Sequence, residues 1–236
     1  MGNSLGLNLL PTKGKLCNFD CIYCECGWNA DGRDDTVIPS APEVKSALEK
    51  KLSSCRSAGT PIDSITFSGD GEPTLNPAFP QIVDDTLELR DIYYPAAKVS
   101  VLTNATMTGR KEIVEALKKV DNPILKLDAP TNELAAIINR PSGRYDVRTT
   151  VENMKAFNGD FILQTMFLSC PDFDSSSPEV LNPWMDIVRT LRPREIMVYT
   201  IDRPTPQSNL VRFSAERMRE LVSPLIQEGF KIQIKG

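Results

Sequence analysis

Three cysteines within eight residues are the feature of the sequence with the clearest capacity for chemistry. Cys17, Cys21 and Cys24 follow the spacing C-x3-C-x2-C in the segment LCNFDCIYCECGW. One loop with this spacing can wrap a single metal centre, and thiolates suit soft metals and iron–sulfur clusters. Three ligands on a 4Fe-4S cube leave one iron open, much as a catalytic zinc keeps one position for water. We therefore predict a 4Fe-4S cluster at this loop.

The same loop could instead form a zinc site with Cys26 as the fourth thiolate. Cys26 lies so close to Cys24 that ligation by both would strain the loop, and no histidine completes a usual zinc spacing. Cys55 and Cys170 lie outside the loop, and we predict that they are buried free thiols. The iron–sulfur interpretation is favoured, and the role of Cys26 stays open.

A second candidate segment, SGDGEPTL (68–75), combines glycines with carboxylates. Gly69 and Gly71 allow backbone carbonyls to approach a ligand closely, and Glu72 supplies an anion. The segment could also be a plain turn. Because it follows a predicted strand and comes behind the cysteine loop, we expect it to bind a cofactor through five residues: Ser68, Gly69, Asp70, Gly71 and Glu72.

Polar side chains also close the next two predicted strands. Thr103 and Asn104 end one of them with groups suited to a carboxylate or a ribose, or they form a simple strand-ending turn. In ILKLDAP, Lys126 and Asp128 share a strand face because side chains alternate, so they form either a structural ion pair or part of the site. We favour the site, with Asp128 directed toward ribose hydroxyls.

Two later segments add candidates. Gln164 interrupts the apolar run FILQTMFL, where a buried amide needs partners, so it either reaches the cofactor or bonds backbone groups. In MVYTIDRPTPQ, Asp202 and Arg203 form either a solvated pair or a substrate contact. The predicted catalytic residues are Lys126, Tyr199, Asp202 and Arg203. Any proton transfer would use Lys126, Tyr199, Asp128 or a cysteine such as Cys26.

The composition limits both the chemistry and the setting. The 236 residues include no histidine, which excludes Ser-His and Cys-His nucleophilic catalysis and His-ligated zinc. Six cysteines in a chain of this length do not form a dense disulfide framework, so we expect a reducing compartment. No apolar run reaches the roughly 18 residues that a membrane span needs, so we expect a cytoplasmic protein with no membrane partner. The net charge of −4 provides no general basic surface for nucleic acid.

Alternating strands and helices must position these groups. Short apolar runs predict strands at 5–10, 62–68, 98–103, 123–128, 161–168 and 195–201, with 230–234 as an extra C-terminal strand. Helical patterns occupy 42–55, 79–92, 110–120, 132–139, 147–157, 180–191 and 216–229. Four of them are predicted to start after a hydroxyl side chain, at Ser40, Thr108, Thr131 and Ser214. This alternation implies parallel strands, in an open sheet or a barrel, with ligands at the carboxyl ends of the strands. We predict one domain, residues 1–236, with the α/β fold of a partial (β/α)6 barrel and outer helices.

With Tyr23 in place, the cysteine segment reads C-x3-C-x-aromatic-C and resembles the cluster motif of radical S-adenosylmethionine (radical SAM) enzymes. The resemblance implies that the open iron chelates the methionine amine and carboxylate of S-adenosylmethionine (SAM). It also implies that an electron from the reduced cluster cleaves the sulfonium to a 5'-deoxyadenosyl radical, with Tyr23 against the adenine. SGDGEPTL resembles the family's Gly-Gly-Glu segment, which meets the ammonium group of the cofactor, although Asp70 stands between the glycines here. A flavodoxin or ferredoxin is the electron donor that the family implies.

Within this family, TFSGDGEPTL, CIYCECG and YTIDRP most resemble the wybutosine-type tRNA-modifying group. Those enzymes carry an upstream extension for a second cluster, whereas sixteen residues precede Cys17, so we expect a single cluster. The substrate is not identified and could be a small molecule, a tRNA or a protein. A protein is an alternative because glycyl-radical activating enzymes, which act on a protein backbone glycine, share the cysteine spacing. A noncatalytic iron–sulfur electron carrier or structural metal module is a further alternative. INRPSG (138–143) is similar to a segment of the same enzymes, with Arg140 as its only charged residue.

Overall fold

The computed structural model describes residues 2–31 and 37–236. The strands among them are β1 (Ser4–Leu7), β2 (Ser64–Phe67), β3 (Lys98–Thr103), β4 (Asn122–Lys126), β5 (Ile162–Met166), β6 (Leu168–Cys170), β7 (Phe173–Asp174), β8 (Glu195–Tyr199), β9 (Val211–Arg212) and β10 (Ile232–Lys235). A seven-stranded parallel sheet has the order β1-β2-β3-β4-β5-β8-β10. A small antiparallel sheet has the order β7-β6-β9.

Helices flank the parallel sheet and follow its strands in the chain. They are α1 (Ala41–Ser57), α2 (Phe79–Tyr93), α3 (Lys111–Lys119), α4 (Asn132–Ile138), α5 (Val147–Met154), α6 (Pro178–Leu191), α7 (Ala215–Leu221) and α8 (Ser223–Gln227). Single 3-10 turns occur at Pro73–Leu75 and Lys155–Phe157. The predicted α/β fold class is confirmed, including the extra C-terminal strand β10.

The chain divides into two compact units. The first contains Met1–Cys17, Asn29–Thr103 and Met107–Ile124, and the second contains Asn18–Trp28, Asn104–Thr106 and Leu125–Gly236. The prediction that residues 1–236 form one domain stays a prediction.

In the first unit, α1 and α2 pack on β2 through an apolar core. Helix α1 begins after Ser40, whose backbone N–H donates to the Glu43 side chain at 2.8 Å in a capping box. The core comprises Leu48, Leu52, Ile62, Ile65, Leu89 and Ala97. In register, Leu7 of β1 lies opposite Phe67 of β2, so both strands end at the same edge. The residues that follow each strand therefore start from neighbouring positions.

In the second unit, Trp184 fixes α6 against β5. Its indole N–H donates to the Thr165 hydroxyl at 3.1 Å, and its ring packs edge-on against Phe167 with the ring centres 5.4 Å apart. Thr165 thus faces the helix layer. Since side chains alternate along a strand, Gln164 and Met166 face the opposite, inner side of the sheet.

Several predicted elements differ from the observed ones. The predicted helix at 216–229 is two helices, because Pro224 lacks an N–H and its ring clashes with the carbonyl four residues earlier. The predicted strand at 161–168 ends at Met166, and Leu168 begins β6 of the small sheet instead. Helix α3 begins after Arg110 rather than after Thr108.

Among the described residues, no helix is both long enough and apolar enough to cross a membrane.

Candidate functional site

In the first unit, the chain leading to Cys17 is bonded to the turn that follows β2. The Leu16 N–H donates to the Asp70 carbonyl at 2.8 Å, and the Glu72 N–H donates to the Leu16 carbonyl at 3.0 Å. Gly71 lies between these bonds at φ +138°, where a Cβ would stand only 1.8 Å from the Leu16 carbonyl oxygen. The close approach of the two segments therefore requires glycine at position 71.

Asn8, which follows β1, holds the same turn from the other side. Its Nδ2 donates to Asp70 Oδ2 at 2.8 Å, and its Oδ1 accepts from the Asp70 N–H at 3.3 Å. A Cβ at Gly69 would stand 2.8 Å from Asn8 Cβ, which rotation of the asparagine side chain cannot move, so this position also favours glycine. Ser68 is exposed, and its N–H donates to the Leu7 carbonyl at 3.2 Å. The five predicted cofactor residues of this segment thus form one ordered turn.

Glu72 is buried, with 2% of its surface exposed. Its Oε1 accepts from the Thr74 N–H at 3.1 Å and from the Thr103 hydroxyl at 2.7 Å. The carboxylate therefore joins the turn to the end of β3. Its predicted contact with a cofactor stays a prediction.

Asn104 belongs to the second unit and contacts the cysteine loop there. Its Nδ2 donates to Asn18 Oδ1 at 2.7 Å, and its own Oδ1 accepts from the Thr106 N–H at 3.1 Å. Thr106 is also bonded to Asn18, whose Nδ2 donates to its hydroxyl oxygen at 2.6 Å. These bonds hold Asn104 as a support of the loop.

Residues 138–142, which start at the last residue of α4 and are here called the α4 cap segment, pair with residues 18–22 of the cysteine loop. The Ile22 N–H donates to the Ile138 carbonyl at 3.0 Å, and the Asp20 N–H donates to the Asn139 carbonyl at 2.9 Å. The Ser142 N–H donates to the Asn18 carbonyl at 2.9 Å. A row of main-chain bonds therefore holds the loop around Cys21.

Asp128, just beyond β4, is the centre of a buried network. Its Oδ2 accepts from the Tyr23 hydroxyl and, at 2.7 Å, from Asn139 Nδ2. Its Oδ1 accepts from the Met166 N–H at 2.9 Å and lies 3.7 Å from Lys126 Nζ. Both oxygens are thus bonded to protein groups, and the contact with ribose hydroxyls stays a prediction.

Replacing Asp128 by asparagine is expected to lower the free energy of unfolding by about 3 kcal/mol. An amide nitrogen in place of either carboxylate oxygen would face a hydrogen-bond donor instead of accepting from it. The buried Lys126 ammonium would also lose the negative charge beside it. Urea unfolding measures the change. Asp186→Asn is the control, since Asp186 is exposed and pairs only with Arg189 in the described residues, so a change within about 0.5 kcal/mol is expected. Equal effects of the two substitutions would contradict the central role of Asp128.

Lys126 lies between two tyrosine rings. Its Nζ is 5.0 Å from the centre of the Tyr23 ring and 4.8 Å from that of Tyr199, and it donates to the Tyr199 hydroxyl. Burial acts to lower the pKa of Lys126, but the charge of Asp128 and the Tyr199 hydroxyl outweigh it, so the pKa is raised. Burial raises the pKa of Tyr199 to about 12. At neutral pH the pair is therefore a charged ammonium and a neutral phenol.

Gln164, Asp202 and Arg203 lie in three different surroundings. Gln164 is half-buried on the inner face, and its side-chain amide makes no hydrogen bond within residues 2–31 and 37–236. Asp202 is exposed. Arg203 pairs with Glu25 of the cysteine loop at 3.3 Å rather than with its neighbour Asp202, so the predicted solvated Asp202–Arg203 pair is not the observed one.

The thiols offer a soft donor set, which suits an iron–sulfur cluster. All six cysteines are free; Cys21 is buried, Cys17 and Cys24 are half-buried and Cys26 is exposed. Burial, followed by the charge of Asp128, raises the pKa of Cys21 to about 11. The other two thiols are free as predicted but half-buried rather than fully buried: Cys55 and Cys170. In the part of the chain that the structure describes, no three His, Cys, Asp or Glu side chains group as ligands of one metal ion.

Several residues of these networks escaped the sequence interpretation, Asn8 and Asn139 among them. Asn8 and Asn139 are ordinary polar residues beside a strand and a helix, and their partners Asp70 and Asp128 are 62 and 11 residues away. For Asn139, the signal was its place in INRPSG, where the charged Arg140 drew attention instead. Arg140 has φ +46° and stacks its guanidinium 4.9 Å from the centre of the Trp28 ring.

Comparison with known proteins places these residues in a family. A model described as the Radical SAM superfamily matches residues 12–169, which include the cysteine loop, the turn after β2 and Asp128. A protein named GTPase Obg from Brachyspira hyodysenteriae is 27% identical over 93% of this chain and 31% of its own length. A UPF0026 protein of Methanocaldococcus jannaschii is 27% identical over 86% of this chain and 61% of its own length. The chain thus spans less than two thirds of either relative.

Solved structures share the fold. Streptococcus suis SuiB bound to S-adenosylmethionine superimposes with a TM-score of 0.71 at 18% identity, over 99% of this chain and 51% of SuiB. TYW1 with a lysine-pyruvate adduct superimposes with a TM-score of 0.64 at 11% identity, over 92% of this chain and 71% of TYW1. At these identities the likeness concerns the fold alone.

Proposed function

The chain belongs to the radical SAM superfamily, and from that premise we propose that Cys17, Cys21 and Cys24 together hold the 4Fe-4S cluster that members of the superfamily use with SAM. When bound, the cluster and SAM supply a 5'-deoxyadenosyl radical, which removes a hydrogen atom from the substrate. The observation that carries the proposal is the set of three free thiols at C-x3-C-x2-C inside the matched residues. The chain is accordingly an enzyme of the radical SAM class.

The turn after β2 is proposed to present backbone groups to the cofactor. Gly69 and Gly71 allow the main chain to lie close to Asn8 and Leu16, and these contacts hold the turn in one position. Glu72 holds the turn to the end of β3 through Thr103. We propose that the backbone of 68–72 meets the cofactor's ammonium group and that the Glu72 side chain acts mainly by positioning this backbone.

In the second unit, Tyr23 is proposed to contact the adenine, and Asp128 to fix the tyrosine through its hydroxyl. Asn104 supports the same loop through Asn18. The sequence interpretation had Asp128 toward the ribose; the bonds to both carboxylate oxygens favour an additional, positioning role. A fixed ring presents a constant surface to its ligand, which is the use of a supporting contact behind a binding residue.

The inner face of the sheet is the proposed place of the substrate. The Leu127 N–H donates to the Gln164 carbonyl at 3.0 Å, which sets Lys126 beside Gln164 across the two strands. Because the Tyr199 oxygen accepts from Lys126, its own hydrogen is available to a ligand. We propose that Lys126 binds and orients substrate as a cation, since an ammonium has no lone pair for nucleophilic attack. Asp202 and Arg203 remain candidates at the entrance to this face.

We further propose that residues 1–236 act as one core domain, that the protein works in the cytoplasm and that a flavodoxin or ferredoxin reduces it. The substrate class to test first is tRNA, because TFSGDGEPTL, CIYCECG and YTIDRP resemble the wybutosine-type group. Binding to tRNA should weaken steeply with rising salt. A protein substrate, as in a glycyl-radical activating enzyme, would bind with a shallow salt dependence.

The test of the proposed function is SAM cleavage. Anaerobically reconstituted protein, reduced with dithionite, should convert SAM to 5'-deoxyadenosine, measured by liquid chromatography with mass detection. A protein that binds zinc instead of iron would refute the proposal. A protein that carries a cluster but never cleaves SAM would be an electron carrier or a structural module.

A further inference from the structure

We propose that Asn139 is a positioning residue that bonds the cluster ligand Cys21 and raises the reduction potential of the cluster. The inference rests on the proposed function, because it requires a cluster at the three cysteines. It concerns a residue that the cysteine motif does not contain.

The side chain of Asn139 lies between the cysteine and the buried carboxylate. Its Nδ2 is 3.4 Å from Cys21 Sγ, 2.7 Å from Asp128 Oδ2 and 3.3 Å from the Tyr23 hydroxyl. The nearest partner is a carboxylate oxygen, which can only accept a hydrogen bond from the amide, so the nitrogen and not the oxygen must face it. One hydrogen of the NH2 group serves Asp128, and the other is directed to the side where Cys21 Sγ and the Tyr23 oxygen both lie as acceptors.

The main chain of Asn139 is bonded at both ends, which fixes the position from which its side chain extends. Its N–H donates to the Ala135 carbonyl at 2.8 Å as the last bond of α4, and its carbonyl accepts from the Asp20 N–H at 2.9 Å. Only 2% of the residue is exposed. The side chain is not needed to cap the helix, because the backbone already does so. Its three contacts therefore require another explanation.

A hydrogen bond to a ligating sulfur provides that explanation. Reduction adds negative charge to a cluster and its sulfurs, so an N–H donor stabilises the reduced form more than the oxidised form. A donor has a large effect at this place because the carboxylate of Asp128 lies on the other side of the same amide. Its negative charge opposes the addition of an electron to the cluster. Asn139 places a donor between the two negative groups. Removing the donor should make the cluster harder to reduce.

The experiment compares Asn139→Leu and Asn139→Ala with the wild type, using the anaerobically reconstituted full chain. Leucine keeps the size and branching of asparagine without the donor, and alanine covers the case in which leucine does not fit. Asn132→Ala is the matched control: Asn132 begins the same helix and donates to Asp146 at 3.0 Å, away from the cysteine loop. The readouts are iron content and the midpoint potential from a redox titration followed by electron paramagnetic resonance.

We expect both Asn139 variants to bind iron and to be about tenfold harder to reduce, a fall of about 59 mV for one electron. Asn132→Ala should keep the wild-type potential. Wild-type potentials in both Asn139 variants would overturn the inference. So would loss of iron from both variants with iron kept in Asn132→Ala, because Asn139 would then hold the site together rather than tune it. Failure of the wild type to load a cluster would refute the proposed function instead.

Discussion

Replacing Cys21 by alanine is expected to abolish cluster binding and to reduce 5'-deoxyadenosine formation from SAM below detection. The C-x3-C-x2-C spacing offers three thiolates, and the loss of one leaves two ligands for a cube that needs three to stay bound. Cys21 is the buried member of the set, and the α4 cap segment holds the loop on either side of it. Iron content and 5'-deoxyadenosine yield after anaerobic reconstitution measure the result.

The other cysteines provide the controls for this prediction. Cys26→Ala removes an exposed thiol two residues from Cys24, and Cys55→Ala and Cys170→Ala remove half-buried thiols outside the loop. All three variants should keep wild-type iron content and SAM cleavage. If Cys26→Ala lost metal as completely as Cys21→Ala, the loop would be a four-thiolate site, and this result would support the zinc interpretation.

Much of the fold could be predicted because its signals are local. Short apolar runs marked each strand of the parallel sheet, and Ser40, Thr131 and Ser214 marked the starts of three helices by the preference of their hydroxyls for the first free N–H groups. The exceptions have local causes too. Pro224 divides the last helix, and the run at 161–168 was divided because apolarity alone does not show where one strand ends and the next begins.

The candidate site could be predicted only in part. Residues whose partners are near in the sequence were predicted, and residues whose partners are far away were not. The cysteines, SGDGE and the Lys126–Asp128 pair stand out because their chemistry is visible within a few residues. The supporting contacts join distant segments: Asn139 meets Cys21 across 118 positions, and Arg203 pairs with Glu25 instead of its neighbour Asp202. One sequence carries no signal for such pairs, since asparagine and arginine are common in loops. The residues that could bind cofactors were therefore predictable, whereas those that hold them were not.

The second large effect is expected at Gly71, where alanine should destabilise the protein by at least about 3 kcal/mol and lower the iron content. At φ +138° a side chain is strained by about 1–3 kcal/mol, and the new Cβ would stand 1.8 Å from the Leu16 carbonyl oxygen. The clash is with backbone and cannot be relieved by rotating a side chain. It would break the bonds that Leu16 makes with Asp70 and Glu72, each worth about 1 kcal/mol, and so displace the residue before Cys17.

Gly59→Ala separates this clash from the general cost of replacing a glycine. Gly59 also has positive φ, at +66°, but nothing lies within 4 Å of the position of its Cβ. It should therefore show only the conformational cost, about 1 kcal/mol, with normal iron content. Urea unfolding and iron analysis of both variants give the comparison. Equal destabilisation by the two substitutions would mean that the turn after β2 can move away from Leu16, and the turn could then not act as a fixed support for the cofactor.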